Sequence, residues 1–129
     1  MKILKNTILP VFLATIWISL SEFVRNEFIL KSFWIEHYQH LGITFPSEPV
    51  NGAVWGIWSL LFALTIFIIS KKFNLVQSTY ISWLVGFVLM WVSLGNLGVL
   101  PYGLLWYAVP LSIFESFVAT LIIKKVDLS

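Results

Sequence analysis

The chain has 129 residues, 59% of them hydrophobic and 11% charged, with a formal net charge of +2 and no cysteine. A soluble domain carries roughly 25% charged residues, so this composition excludes a water-soluble globule and points to a chain solvated by lipid. The lack of cysteine excludes disulfides, thiol catalysis and thiolate metal sites, and the length leaves room for a single domain over residues 1–129.

A hydrocarbon core of about 30 Å takes roughly 20 apolar helical residues, and four stretches qualify, at about 8–30, 50–70, 79–98 and 102–123. The predicted fold is therefore an all-α membrane protein, a bundle of four transmembrane helices. In the first span Thr15, Ser19, Glu22 and Asn26 share one face, opposite Leu13, Trp17, Leu20 and Val24. Such a polar stripe points away from lipid. Lys2 and Lys5 before an apolar run that ends near Ser19-Leu20-Ser21 loosely resemble a cleavable signal peptide, but the stripe argues that the span is retained.

The 31–49 segment places Trp34, Tyr38 and Leu41 on one face, with Glu36, Gln39 and His40 opposite and Gly42 at the stop. That pattern predicts a short helix lying on the membrane surface. Pro46 and Pro49 flank Ser47 and Glu48, which suits a turn into the second span. The second span aligns Gly52, Gly56, Ser59 and Ala63; the third Ser82, Gly86, Ser93 and Asn96; the fourth Ala108, Ser112, Glu115 and Ala119. Helices associate in membranes through close approach at small residues and hydrogen bonds between polar ones, so these faces predict one packed bundle. Gly52, Gly56, Gly86 and Ser112 are its expected packing positions, and the Gly98–Gly103 stretch with Pro101 predicts a tight hairpin between spans three and four. Pro110 is expected to bend the fourth span.

Lys2, Lys5, Lys71, Lys72, Lys124 and Lys125 all fall on one side of the predicted membrane. The positive-inside rule then places both termini and the 71–78 loop in the cytoplasm, with a bacterial inner membrane as the expected location. Trp34, Tyr38, Tyr102, Trp106 and Tyr107 form a belt at the opposite boundary, and Tyr80 and Trp83 lie toward the lysine side.

Ionisable groups inside a span are functional candidates. At 1.5 Å per residue Glu22 lies about 21 Å from the lysine-side boundary and Glu115 about 13 Å, near mid-membrane. Glu22 and Arg25 are spaced to pair on one helix, and Asn26 and Asn96 are placed to join them in a polar pocket open to the outer face. Glu115 has no evident basic partner at its depth, so its neutral form is expected. His37 and His40, beside Glu36, are weak metal candidates, because the helical zinc pair uses i,i+4 spacing and these are i,i+3. No cofactor motif is present, and no basic patch suits nucleic acid.

Three function classes remain open on this reading. One is binding or transport of a small molecule or ion through the intrabundle pocket. Another is a non-catalytic subunit that binds or stabilises another membrane protein or pairs as a homodimer. The third is a lipid-modifying membrane enzyme using His37 and His40. Membrane lipid is a partner in all three.

Overall fold

The structure, a computed structural model, describes residues 3–126, with the side chains of Leu4 and Lys5 outside the description. In chain order the helices are α1 (Asn6–Ile29), the short α2 (Lys31–His40), α3 (Pro49–Ser70), α4 (Leu75–Asn96) and α5 (Tyr102–Val126). All but α2 are long and apolar enough to cross a membrane, and the architecture is that of an integral, multi-pass four-helix bundle. One end of the bundle carries the start of α1, the end of α5 and the α3–α4 turn; it is called the termini end below. The opposite, loop end carries α2 and the α4–α5 turn. Of the six lysines behind the predicted orientation, Lys2 and the side chain of Lys5 lie outside the described residues.

Local chemistry sets the helix limits. Helix α3 starts at Pro49 because Glu48 caps it: the Glu48 N–H donates to Asn51 Oδ1 at 2.9 Å while the Glu48 side chain accepts from the backbone of Asn51. Helix α4 starts at Leu75, earlier than the apolar stretch suggests. Asn74 Oδ1 accepts from the Gln77 N–H at 2.8 Å and Gln77 Oε1 accepts from the Asn74 N–H at 3.2 Å, so a reciprocal cap sets the start. Hydropathy marks where lipid begins, and capping marks where helix begins. After α2 and after α4 the chain turns through glycines with positive φ, Gly42 at 75° and Gly98 at 79°. Helix α5 continues through Pro110, which sits on an exposed face.

Helix α1 packs against α3 and α5, and α5 also packs against α3 and α4. Toward the termini end, Val11, Ala14 and Ile18 of α1 meet Phe62, Ala63 and Ile66 of α3 and Ala119 and Ile123 of α5. A second cluster at the loop end joins Leu30, Leu100, Leu104 and Ala108, with Phe33 and Trp34 of α2 laid on it. No residue of α3 belongs to that second cluster.

The predicted face of α5 is buried as expected, through Ala108, Ser112, Glu115 and Ala119. The other three faces differ from expectation; on α4 Ser82 is buried, but Ser93 and Asn96, beyond the π turn at Leu84–Val88 that shifts the helical register, are exposed. The buried stripe of α1 runs through Val11, Ala14, Ile18, Glu22 and Arg25, rotated by roughly 70° from the predicted polar stripe. Thr15, Ser19 and Asn26 are only partly buried, and Trp17, expected to face lipid, is drawn to the interface. The cause is chemical: an indole N–H inside a membrane needs an acceptor, and Trp17 Nε1 donates to the Glu115 carbonyl at 2.9 Å.

The remaining difference is in α3. Ser59 and Ala63 are buried, but Gly52 and Gly56 are exposed, and a Cβ at either would meet nothing within 4 Å. The glycine pair is therefore not a packing contact among the described residues. Between α3 and α4 the rings of Trp58, Phe62 and Phe87 stand 5.0 to 5.8 Å apart and fill the gap, so the backbones do not close on each other there. Gly86 does pack closely, since a Cβ on it would collide with the Phe62 ring.

At the termini end, the last carbonyls of α3 lack helical partners by the geometry of any helix end. Lys124 of α5 supplies the last of them and the turn that follows: its Nζ donates to the Ser70 carbonyl at 3.0 Å and to the Phe73 carbonyl of the α3–α4 turn at 2.9 Å. Lys71 lies over the Phe67 ring, 4.5 Å from its centroid.

Candidate functional site

The centre of the bundle holds a charged cluster contributed by two helices. Arg25 leaves α1 where the helix widens into a π turn over Arg25–Ile29, marked by the Leu30 N–H donating to the Arg25 carbonyl at 2.8 Å. Its guanidinium forms an ion pair with Glu22 one turn back through Nη2, and its Nη1 donates to Glu115 Oε1 at 3.2 Å. Asn26 Nδ2 donates to the other Glu22 oxygen, Oε2, at 3.1 Å. Relative exposure is 5% for Glu22, 6% for Arg25 and 0% for Glu115, so water contributes little to screening these charges.

Glu115 and the Glu22–Arg25 pair thus form one site. The separation of about 12 Å in depth between Arg25 and Glu115 is bridged because helical side chains lean toward the N-terminus of their own helix. Helices α1 and α5 run in opposite directions, so Arg25 reaches toward mid-membrane and Glu115 reaches up to meet it. The expectation that Glu115 lacks a basic partner is corrected by this geometry: Arg25 is the partner.

Aromatic groups close the site. The Arg25 guanidinium carbon stands over the Phe87 ring, 5.0 Å from its centroid. Phe87 belongs to a second π turn, Leu84–Val88, within α4. A π turn inserts one residue into the helical register and re-aims the side chains that follow, which is why such turns recur at functional sites. Trp83 Nε1 donates to Ser112 Oγ at 2.9 Å, one turn along α5 from Glu115. These contacts make Trp17, Trp83 and Phe87 parts of the site that the sequence reading did not single out. The need of each buried indole N–H for an acceptor was the available signal.

The polar balance of the cluster is uneven. One guanidinium serves two carboxylates, while Glu115 Oε2, Ser82 Oγ and Ser116 Oγ are buried without a hydrogen-bond partner among the described residues. Unpaired polar atoms in a dry interior carry a desolvation penalty of about 1–3 kcal/mol each, more for a charged group. Neither α3 nor α4 carries a charged residue that offsets the second carboxylate. The cluster therefore either bears net negative charge or holds a proton.

The other predicted positions lie elsewhere. Asn96 is exposed at the end of α4 and does not join the cluster. His37 Nε2 is 2.9 Å from the Gly98 carbonyl, tying α2 to the α4–α5 turn, and His40 is exposed. No group of three His, Asp or Glu side chains suited to a metal occurs among the described residues. Comparison of the chain with protein-family models, with curated proteins and with solved structures gives no match.

Proposed function

We propose that this chain binds and moves a small cation or a proton across the membrane, with Glu22, Arg25 and Glu115 as the exchange site. The observation that carries the reading is the pairing of two buried carboxylates with one guanidinium, which leaves room for one further positive charge. Buried ionisable groups in transmembrane helices mark ion pathways and proton relays, because their desolvation is too unfavourable to persist without use. Arg25 sets the affinity by neutralising one acid. Glu115 takes and releases the exchangeable charge.

The orientation that goes with this reading has both termini in the cytoplasm, supported by Lys71, Lys72, Lys124 and Lys125 at one end. The test is an imposed ion or pH gradient across liposomes containing the purified chain, followed with a trapped pH indicator. Glu115→Gln keeps the shape of the neutral acid and removes its charge, so it should fold and abolish exchange. Undiminished exchange in that variant would overturn the reading.

A second reading is favoured by the open glycine pair on α3, where Gly52 and Gly56 offer a close-approach face that none of the described residues covers. On this reading the face binds another membrane protein or a second copy. Gly56→Ile should then lower the oligomeric mass in detergent, and an unchanged mass would remove the reading.

A further inference from the structure

Helix α5 carries Ser112, Ser116, Thr120 and Lys124 at intervals of four residues, so their side chains form one ridge beside the face that holds Glu115. Both ends of that ridge are pinned to α4 and the turn before it. Trp83 Nε1 donates to Ser112 Oγ at 2.9 Å, and toward the termini end Lys124 Nζ and Ser78 Oγ donate to the same Phe73 carbonyl, at 2.9 and 3.2 Å. Between these contacts α4 buries Ser78, Thr79 and Ser82 and α5 buries Ser116 and Thr120, none of them more than 4% exposed. The face of Glu115 itself is apolar on either side. Ala108 belongs to the loop-end cluster with Leu30, Leu100 and Leu104, while Ala119 and Ile123 belong to the cluster toward the termini. The α4–α5 seam is therefore the polar course that runs from the depth of Glu115 to the termini end.

We infer that this seam holds ordered water through which Glu115 exchanges protons with the termini end; the inference rests on the exchange reading above, narrows its ligand to the proton and gives the side from which it is loaded. The carrying observation is that Glu115 Oε2, Ser116 Oγ and Ser82 Oγ are buried without a hydrogen-bond partner among the described residues. Such groups are unfavourable in a dry interior, and a buried water typically makes about three hydrogen bonds to groups of this kind. Thr79 and Thr120 donate to the Leu75 and Ser116 carbonyls of their own helices, at 2.8 and 2.7 Å, and keep lone pairs as acceptors. Close helix approach needs small residues there, but alanine would meet that need without a hydroxyl to satisfy. A proton enters from water at the termini end, passes from oxygen to oxygen and ends on Glu115 Oε2. Each hydroxyl accepts one proton and gives up one, so nothing is consumed. The ionisable groups along the course are Glu115, with Glu22 and Arg25 of α1 beyond it, and Lys124, whose ammonium is held by two carbonyls.

The experiment uses the full chain in liposomes, with an imposed pH gradient and a trapped pH indicator, beside infrared spectra in D2O. Ser82→Ala and Ser116→Ala combined remove only the two hydroxyls and should lower the Glu115-dependent proton flux at least about tenfold. Ser93→Ala, on an exposed face of α4, should leave the flux unchanged. Because the chain has no cysteine of its own, Ser116→Cys gives a single S–H stretch, which should convert to S–D within minutes in the folded protein. Ala63→Cys, in the apolar cluster on α3, should keep its S–H for hours. Undiminished flux in the double alanine variant, where Glu115→Gln abolishes it, would overturn the path and leave the exchange reading standing. An S–H in Ser116→Cys that persists like that in Ala63→Cys would also overturn the path, whether or not the alanine variants fold. Equally fast exchange in both cysteine variants would overturn the confinement of water to the seam. Flux that survives Glu115→Gln would remove the exchange reading and the path together.

Discussion

Arg25 of α1 and Glu115 of α5, ninety residues apart in the chain, meet at 3.2 Å in the middle of the bundle. This contact joins the helices that hold the rest of the fold together, since α1 and α5 pack on each other and both pack on α3. It also couples stability to the proposed exchange, because any event that alters the charge of Glu115 alters the force on Arg25.

That coupling is measurable by a double-mutant cycle. Arg25→Met should destabilise the chain by about 3 kcal/mol, because it leaves buried carboxylates without their counter-charge. Glu115→Leu should cost about 1–2 kcal/mol, because Arg25 keeps Glu22. The double variant should fall short of the sum by about 1–2 kcal/mol, read from reversible unfolding in mixed micelles. Strict additivity would mean that Arg25 acts through Glu22 alone.

Glycine substitutions should separate the closed part of the bundle from the open part. Gly86→Val places a side chain into the Phe62 ring and should lower the melting temperature, with a cost of about 1–3 kcal/mol for overpacking. Gly56→Val meets open space and should leave the melting temperature of the single chain within about 1 °C, equivalent to less than roughly 0.5 kcal/mol. The same melting temperature for both variants would refute the assignment of faces.

Lys124 should be needed to close the end of α3. Lys124→Met keeps the length of the side chain and removes the donor, so the Ser70 carbonyl loses its lysine partner and the Phe73 carbonyl is left with the Ser78 hydroxyl alone. The expected cost is about 1–2 kcal/mol. Hydrogen exchange at the amides of residues 71–74 should accelerate, while the amides of the α5 interior stay protected.

The orientation can be checked with reporter fusions. A fusion after Lys72 should report the cytoplasm, and one inserted at Ser47 should report the opposite side. The reverse pattern would overturn the orientation and leave the bundle itself unchanged.

Much of the fold was legible because lipid imposes simple rules. Span length, the glycine stops at Gly42 and Gly98, the start at Pro49 and the buried face of α5 all follow from local composition. The early start of α4 was also present in the sequence, in Asn74 and Gln77, but apolar runs obscured it. Residues whose role depends on a distant partner were harder to read. Glu115 looked isolated because depth measured along each helix ignores how far, and in which direction, an arginine side chain reaches. The rotation of α1 had the same origin: Trp17 and Arg25 turn toward acceptors on α5 that no periodicity within α1 reveals. Gly52 and Gly56 form a packing motif whose use depends on what stands opposite, and among the described residues nothing does.

The lysine that completes α3 lies 54 residues beyond Ser70, which gives the fold a clock. During synthesis at ~5–20 residues per second, α3 enters the membrane some seconds before its final carbonyls find their donor, roughly 3 to 11 s by that rate. Throughout that interval the α3–α4 turn stays at the headgroup boundary, where water satisfies it. The α3–α4 turn therefore exchanges water for a protein donor only when Lys124 has been made, so the last helix of the chain completes a helix end formed two helices earlier.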